Sequence, residues 1–267
     1  TIFTVLTIQL VAIGVSIVFA AVRLIRRIDF DEVSVSREGM VSAALAGAPF
    51  MGIGLLYLTT SRFDILIVGG LFSADDVAIY TTGAKLAAVT GMPLMIVNSV
   101  IQPAISELFT KSNKEGLAII TRGTSSIAFC IASAVLIVVA IWGREILYVL
   151  FGSYYVESYS ILVVLTLSKV IDTAGGSGGM VMMMTGQENK ALRIVAVTAI
   201  MTLAGGIVFG KYLGPLGVAI GLALAMLVQN VLMVWSIHRA IGVWVFPSVS
   251  PKYALALTNA MDDEALS

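Results

Sequence analysis

The stretch SYSILVVLTLSKVIDTAGGSGGMVMMMT, residues 158–185, decides how the chain is read. It is long and apolar enough to cross a bilayer, yet it carries Lys169 and Asp172 near its middle. A charge at that depth costs at least about 2.5–3.5 kcal/mol on insertion scales, so such residues face a bundle interior or a wet cavity. Three positions separate the two, which puts them on one helix face where they can pair. GGSGG, residues 175–179, follows at once. A run of that kind loosens a helix or lets a neighbour come very close. A spanning helix with a charged centre and a weak point beside it predicts a polar cavity inside a helical bundle.

Composition agrees with a membrane setting. The 267 residues are 58% hydrophobic and 12% charged, against roughly 25% charged in a soluble domain, and mean hydropathy is +1.00. Zero formal net charge points to no nucleic-acid partner. The single cysteine, Cys130, excludes an internal disulfide and a multi-cysteine metal site, and reads as a packing residue. The chain enters an apolar run at Thr1 without a charged leader or cleavage pattern, which suggests a piece of a longer protein.

Spans of about 20 apolar residues recur seven times, near 2–22, 41–69, 77–109, 117–142, 158–185, 191–210 and 216–238. Residues 23–40 alternate Arg23, Arg26 and Arg27 with apolar side chains, as an interfacial linker does. Ser73 reads as an N-cap with Asp75 and Asp76 in the following turn. The aromatics from Trp142 to Tyr159 read as an interfacial belt. Gly206 and Gly210, like Gly217 and Gly221, have GxxxG spacing, a weak motif for close helix contact. Residues 240–267 form a tail. Sorting the connectors alternately puts most of the Lys and Arg on one side, including Arg37, Lys111, Lys114, Arg122, Lys190, Arg193 and Arg239. That side is expected to be cytoplasmic, with the first residue outside and the tail inside.

Three segments resemble the polysaccharide flippases, the O-antigen and teichoic-acid exporters of the multidrug/oligosaccharidyl-lipid/polysaccharide superfamily. They are FDILIVGGLFSADDVAIYTTGAKLAAV with the later SVIQPAISELF, ILYVLFGSYYVESYSILVVLTLSKVI, and MVMMMTGQENKALRIVAVTAIMTLAGGIVFGKYLGPLGVAIGLALA. No single motif is specific; their order and spacing carry the likeness over residues 63–238. The resemblance implies an all-α integral membrane protein of the MATE-like flippase fold, which has two six-helix lobes. Residues 1–22 would be the last helix of the first lobe, and 41–239 the second lobe. It also implies a polyprenyl-diphosphate-linked oligosaccharide as cargo and a location in the cytoplasmic membrane. The implied partners are membrane lipids, an amino-terminal lobe of the same protein, and glycan polymerase and glycosyltransferases.

The ionisable residues within or entering spans are Arg62, Asp64, Lys85, Arg122, Lys169 and Asp172. By the resemblance, a diphosphate passing through needs cations, and Lys85 and Lys169 are the first candidates. Each has a structural alternative. Lys85 could pair between helices or snorkel, Lys169 could pair with Asp172, Asp64 could partner Arg62 or Lys85, and Arg122 could anchor at head groups. His238 reads as interfacial. No nucleophile–base set, phosphate loop or metal-ligand cluster occurs, so neither an enzyme nor a cofactor is expected. Three other functions stay open. A drug/cation antiporter of the same superfamily predicts an acidic cavity, a glycan-assembly enzyme a large outer loop, and a scaffold partner binding without transport.

Overall fold

The computed structural model describes residues 11, 14–16, 18–19, 22–23 and 37–248. The expected linker, most of the first span and the tail beyond 248 lie outside them. The chain divides into two compact units, Thr1–Gly47 and Ala48–Ser267. Within the first, the described residues between 11 and 23 are helical. The second is an all-α bundle, and everything below concerns it.

Its helices are α1 (Arg37–Leu71, which begins in the first unit), α2 (Ala74–Ala88), α3 (Met92–Thr110), α4 (Lys114–Phe151), α5 (Tyr159–Gly175), α6 (Gly178–Met184) and α7 (Glu188–Ile241). Among the described residues, five helical stretches are long and apolar enough to cross a membrane. The last has 54 residues, about 81 Å of helix against a hydrocarbon core of about 30 Å. It doubles back at Gly214, whose φ of 66° is open to glycine and sits just ahead of Pro215. The two arms supply the sixth and seventh expected spans.

Local chemistry sets the other boundaries. The Ser73 Oγ accepts the Asp76 N–H at 3.2 Å while the Asp76 carboxylate accepts the Ser73 N–H at 3.1 Å, a reciprocal cap that starts α2. The third span is not continuous. A 3₁₀ turn, Val89–Gly91, separates α2 from α3, and Pro93 occupies the first turn of α3, where its missing N–H costs nothing. The fifth span is also broken, between α5 and α6 at Gly176, with a φ of 64°.

Where the two arms of α7 meet, the glycines account for the contact. A Cβ on Gly221 would lie 2.6 Å from the Gly205 carbonyl carbon and 2.7 Å from the Gly206 nitrogen. Outward-facing positions are apolar: Leu58, Met95, Val100, Val149, Ile200 and Trp235 are all exposed, the surface that acyl chains solvate.

Two apolar cores form inside the bundle. One gathers Ile53, Ile105, Leu117, Val181, Val195, Met233 and Ile237. The other gathers Ile67, Tyr80, Val139, Leu162, Leu165, Val218 and Ala219. The helices α1, α4 and α7 pass from one to the other, and the intervening turns carry polar residues.

Candidate functional site: a polar layer between two cores

Those intervening turns enclose a cavity of about 670 Å³. On α1 it takes Tyr57 to Ile65, between Ile53 of one core and Ile67 of the other; on α5 and the break after it, Ser168 to Ser177, between Leu165 and Val181. On α7 it takes Thr198 to Thr202 in the first arm, after Val195, and Ala225 to Asn230 in the second, between Ala219 and Met233. Two dry layers of close-packed side chains therefore hold a polar layer open. The cores carry the packing, and the layer between them is free to be charged.

Five of the six charged residues singled out from the sequence line this one cavity: Arg62 and Asp64 from α1, Lys85 from α2, and Lys169 and Asp172 from α5. The sixth, Arg122, does not. It projects from α4 with its guanidinium carbon 5.4 Å from the Phe246 ring centroid.

The expected ion pairs are absent from the cavity. Among the described residues the one salt bridge is Lys111 with Glu107, on an exposed face of α3. Asp172 does not close on Lys169 despite the i, i+3 spacing; the Asn230 side-chain amide lies 3.5 Å from its carboxylate. Asp64 pairs with neither Arg62 nor Lys85. It accepts the buried Tyr80 hydroxyl at 3.2 Å and the Ile65 N–H at 2.8 Å. Both carboxylates thus have neutral donors, and none of the three cations closes a salt bridge among the described residues, although Lys169 lies near enough to act electrostatically on both Asp64 and Asp172. Formally the cavity holds one more cation than anion.

Several members of the site were not singled out from the sequence. Gln229 and Asn230 are adjacent amides in the seventh span, both buried, and Gln229 accepts the Thr198 hydroxyl at 2.8 Å. The rule that flagged the charges, polarity inside an apolar run, would have flagged this pair as well. Tyr80 is fully buried, and its tie to Asp64 spans α1 and α2, which spacing alone does not reveal. Gly175 is needed where it stands because a Cβ there would run into the Asn230 side chain.

A helical bundle of this kind, with a polar cavity between two apolar cores and an apolar exterior, has the fold of MATE transporters. It superposes on a crystal structure of MATE in the bent conformation with a TM-score of 0.70 and 20% identity, over 80% of this chain and 48% of that one. A crystal structure of MATE in complex with MaL6 gives 0.68 and 20%, over 80% and 50%. The chain belongs to the polysaccharide biosynthesis protein family, which matches residues 1–160. It is 21% identical over 172 residues to a probable low-salt glycan biosynthesis flippase, Agl15, of Haloferax volcanii, across 64% of this chain and 36% of that protein. The chain therefore spans between about a third and a half of the length of these relatives. The family is that of polysaccharide biosynthesis proteins and the fold is that of MATE.

Proposed function

We propose that the chain is the second lobe of a flippase that carries a polyprenyl-diphosphate-linked oligosaccharide across the cytoplasmic membrane for surface glycan assembly. The observation behind this reading is the set of Arg62, Lys85 and Lys169 around one cavity, with no salt bridge to a carboxylate among the described residues. Cations held without a salt bridge between two apolar cores suit an anionic visitor. A diphosphate supplies the missing charge, and each lysine meets it as a compact donor. The lipid tail stays in the bilayer while the head group occupies the cavity. Rocking of this bundle, taken as residues 41–239, against an amino-terminal lobe would open the cavity to each side in turn. Residues 1–22 would be that lobe's last helix, with 23–40 the linker, the chain beyond 248 a cytoplasmic tail and the first residue outside. A glycan polymerase and glycosyltransferases would act after and before it.

The test is complementation of a flippase-deficient strain by the full-length gene carrying Lys85→Ala and Lys169→Ala. The expected outcome is loss of surface glycan with normal protein levels in the membrane. Normal export by the double variant would overturn the reading. A second reading, a cation-coupled multidrug antiporter, draws on Asp64 and Asp172 in the same cavity. It predicts efflux of cationic dyes that Asp172→Asn abolishes and the lysine variants leave intact.

A further inference from the structure

Beyond Ile241 the chain does not leave the bundle. Gly242 turns it in the left-handed region at φ 80°, and residues 243–248 run back along the helices as an extended strap. Val245 is completely buried and packs in the same core as Val181 and Ile237. Trp244 stacks on His238, with ring centroids 3.8 Å apart and planes 15° from parallel. Phe246 lies under the Arg122 guanidinium. At the end of the strap, the Ser126 Oγ accepts the Ser248 N–H at 2.9 Å and sits 3.1 Å from the Ser248 carbonyl oxygen. The strap is thus tied to α4 by Arg122 and Ser126, and to α7 by His238.

Its position matters because of what lies beneath. The Val245 carbonyl faces Gly176, where a Cβ would stand 2.6 Å from the carbonyl oxygen and would also run into Ser125 on α4. Gly176 is the break between α5 and α6, and together with Ser177 it forms part of the cavity wall. One residue therefore touches the strap on one side and the cavity on the other. Any rearrangement of α5 against α6 at this point must move Gly176 against the strap or displace the strap.

We propose that residues 243–248 act as a lock on the α5–α6 break, and that the cavity changes shape only when the strap lifts. Lifting requires Val245 to leave its core, the stack with His238 to open and the Ser126 contacts to part, so the strap resists until something binds better to the opened form. The coupling is reciprocal. A ligand that reshapes the cavity wall at Gly176 loosens the strap, and whatever holds the strap down stabilises the present cavity. The consequence for transport rests on the flippase reading; the mechanical coupling does not.

The test joins the strap to α4 covalently. The Ser126 side chain touches the Ser248 backbone through both its N–H and its carbonyl, so the two residues are neighbours that a cross-link can be made to join. Ser126→Cys and Ser248→Cys are introduced into the full-length protein with the exposed Cys130 replaced by Ala. Two readouts follow oxidation: hydrogen exchange of the amides at 175–179, and translocation of a polyprenyl-diphosphate oligosaccharide in proteoliposomes. The expected result is exchange about tenfold slower and translocation at least tenfold slower, both restored by a reductant. Failure to join the two positions, by oxidation or by a short bis-maleimide, would overturn the proposal. So would unchanged exchange, or slowed exchange with undiminished translocation. If reduced and oxidised protein alike move no cargo, the flippase reading fails instead, and the exchange measurement decides the lock by itself.

Discussion

The contact between the two arms of α7 makes an asymmetric demand that can be measured. Gly205 and Gly221 face each other across it, yet the room beside them differs. A methyl on Gly221 would press within 2.6–2.9 Å of the backbone of Gly205 and Gly206, whereas one on Gly205 meets the Gly221 α-carbon at 3.5 Å, an ordinary contact. Backbone cannot swing aside as a side chain does, so Gly221→Ala has to push the arms apart. Overpacking of that kind costs about 1–3 kcal/mol, set against a gain of about 1 kcal/mol from alanine's better helix propensity. Because the atoms in the way are main chain, the upper part of the cost range applies, leaving a net loss of about 1–2 kcal/mol. Gly205→Ala keeps the propensity gain and meets no clash, so it should be neutral or up to about 1 kcal/mol more stable. With roughly 2–4 °C per kcal/mol for chains of 150–250 residues, thermal unfolding of the detergent-solubilised protein should fall by about 2–8 °C for Gly221→Ala and should not fall for Gly205→Ala. Equal shifts, or a larger loss at Gly205, would refute the arrangement of the arms.

Three further outcomes follow from the geometry. Tyr80→Phe removes the hydroxyl that Asp64 accepts at 3.2 Å, and should cost about 1–3 kcal/mol in the parent but much less in an Asp64→Leu background, read as a coupling in a double-mutant cycle. Ser73→Ala breaks the reciprocal cap at the start of α2 and should cost about 1 kcal/mol, seen as a lower unfolding temperature, with Ser73→Asn restoring most of it. Thr198→Val leaves the Gln229 carbonyl without the hydroxyl it receives at 2.8 Å. It should destabilise by about 1–3 kcal/mol, while Ile200→Val, one turn-face away on the exposed side, should change the unfolding temperature little.

The spans were legible because their signal is one-dimensional: apolar length fixes a crossing wherever it occurs, and 191–210 and 216–238 could be separated by GKYLGPLG even though the helix is continuous up to Gly214. The charged candidates were legible for the same reason, since Lys169 or Asp64 in such a run is conspicuous whatever surrounds it. What spacing could not supply was the partner. Lys169 and Asp172 share a helix face, and an isolated helix would let them pair; in the bundle, Gly175 admits Asn230 from the other end of the chain beside the carboxylate. Asp64 sits two residues from Arg62, positions that do not face each other on a helix, and Tyr80 reaches it only because a reversal at Phe72 and Ser73 lays α2 alongside α1. Arg122 is not among the residues that line the cavity. Its sequence neighbours give its depth but not its direction, and Phe246, from the last part of the chain, is one of the groups beside it.

The placing of the polar groups also bears on how much change the site can bear. Removing one partner of a buried ion pair leaves an uncompensated charge and costs about 3–5 kcal/mol, so a cavity built from salt bridges would tie its charges to the stability of the fold. This cavity ties each carboxylate to a neutral donor and leaves Lys85, Lys169 and Arg62 out of any salt bridge among the described residues. The cations can then be replaced without stranding a partner, while the cores on either side, from Ile53 to Ile237 and from Ile67 to Ala219, hold the helices apart. Lysine-to-alanine changes should accordingly lower the unfolding temperature by no more than about 2 °C, as changes worth under about 0.5 kcal/mol do. Loss of transport in the same variants would report on the visitor and not on the fold. A drop in stability comparable to that of Gly221→Ala would mean that the cations brace the bundle, and their proposed part in binding would lose its support.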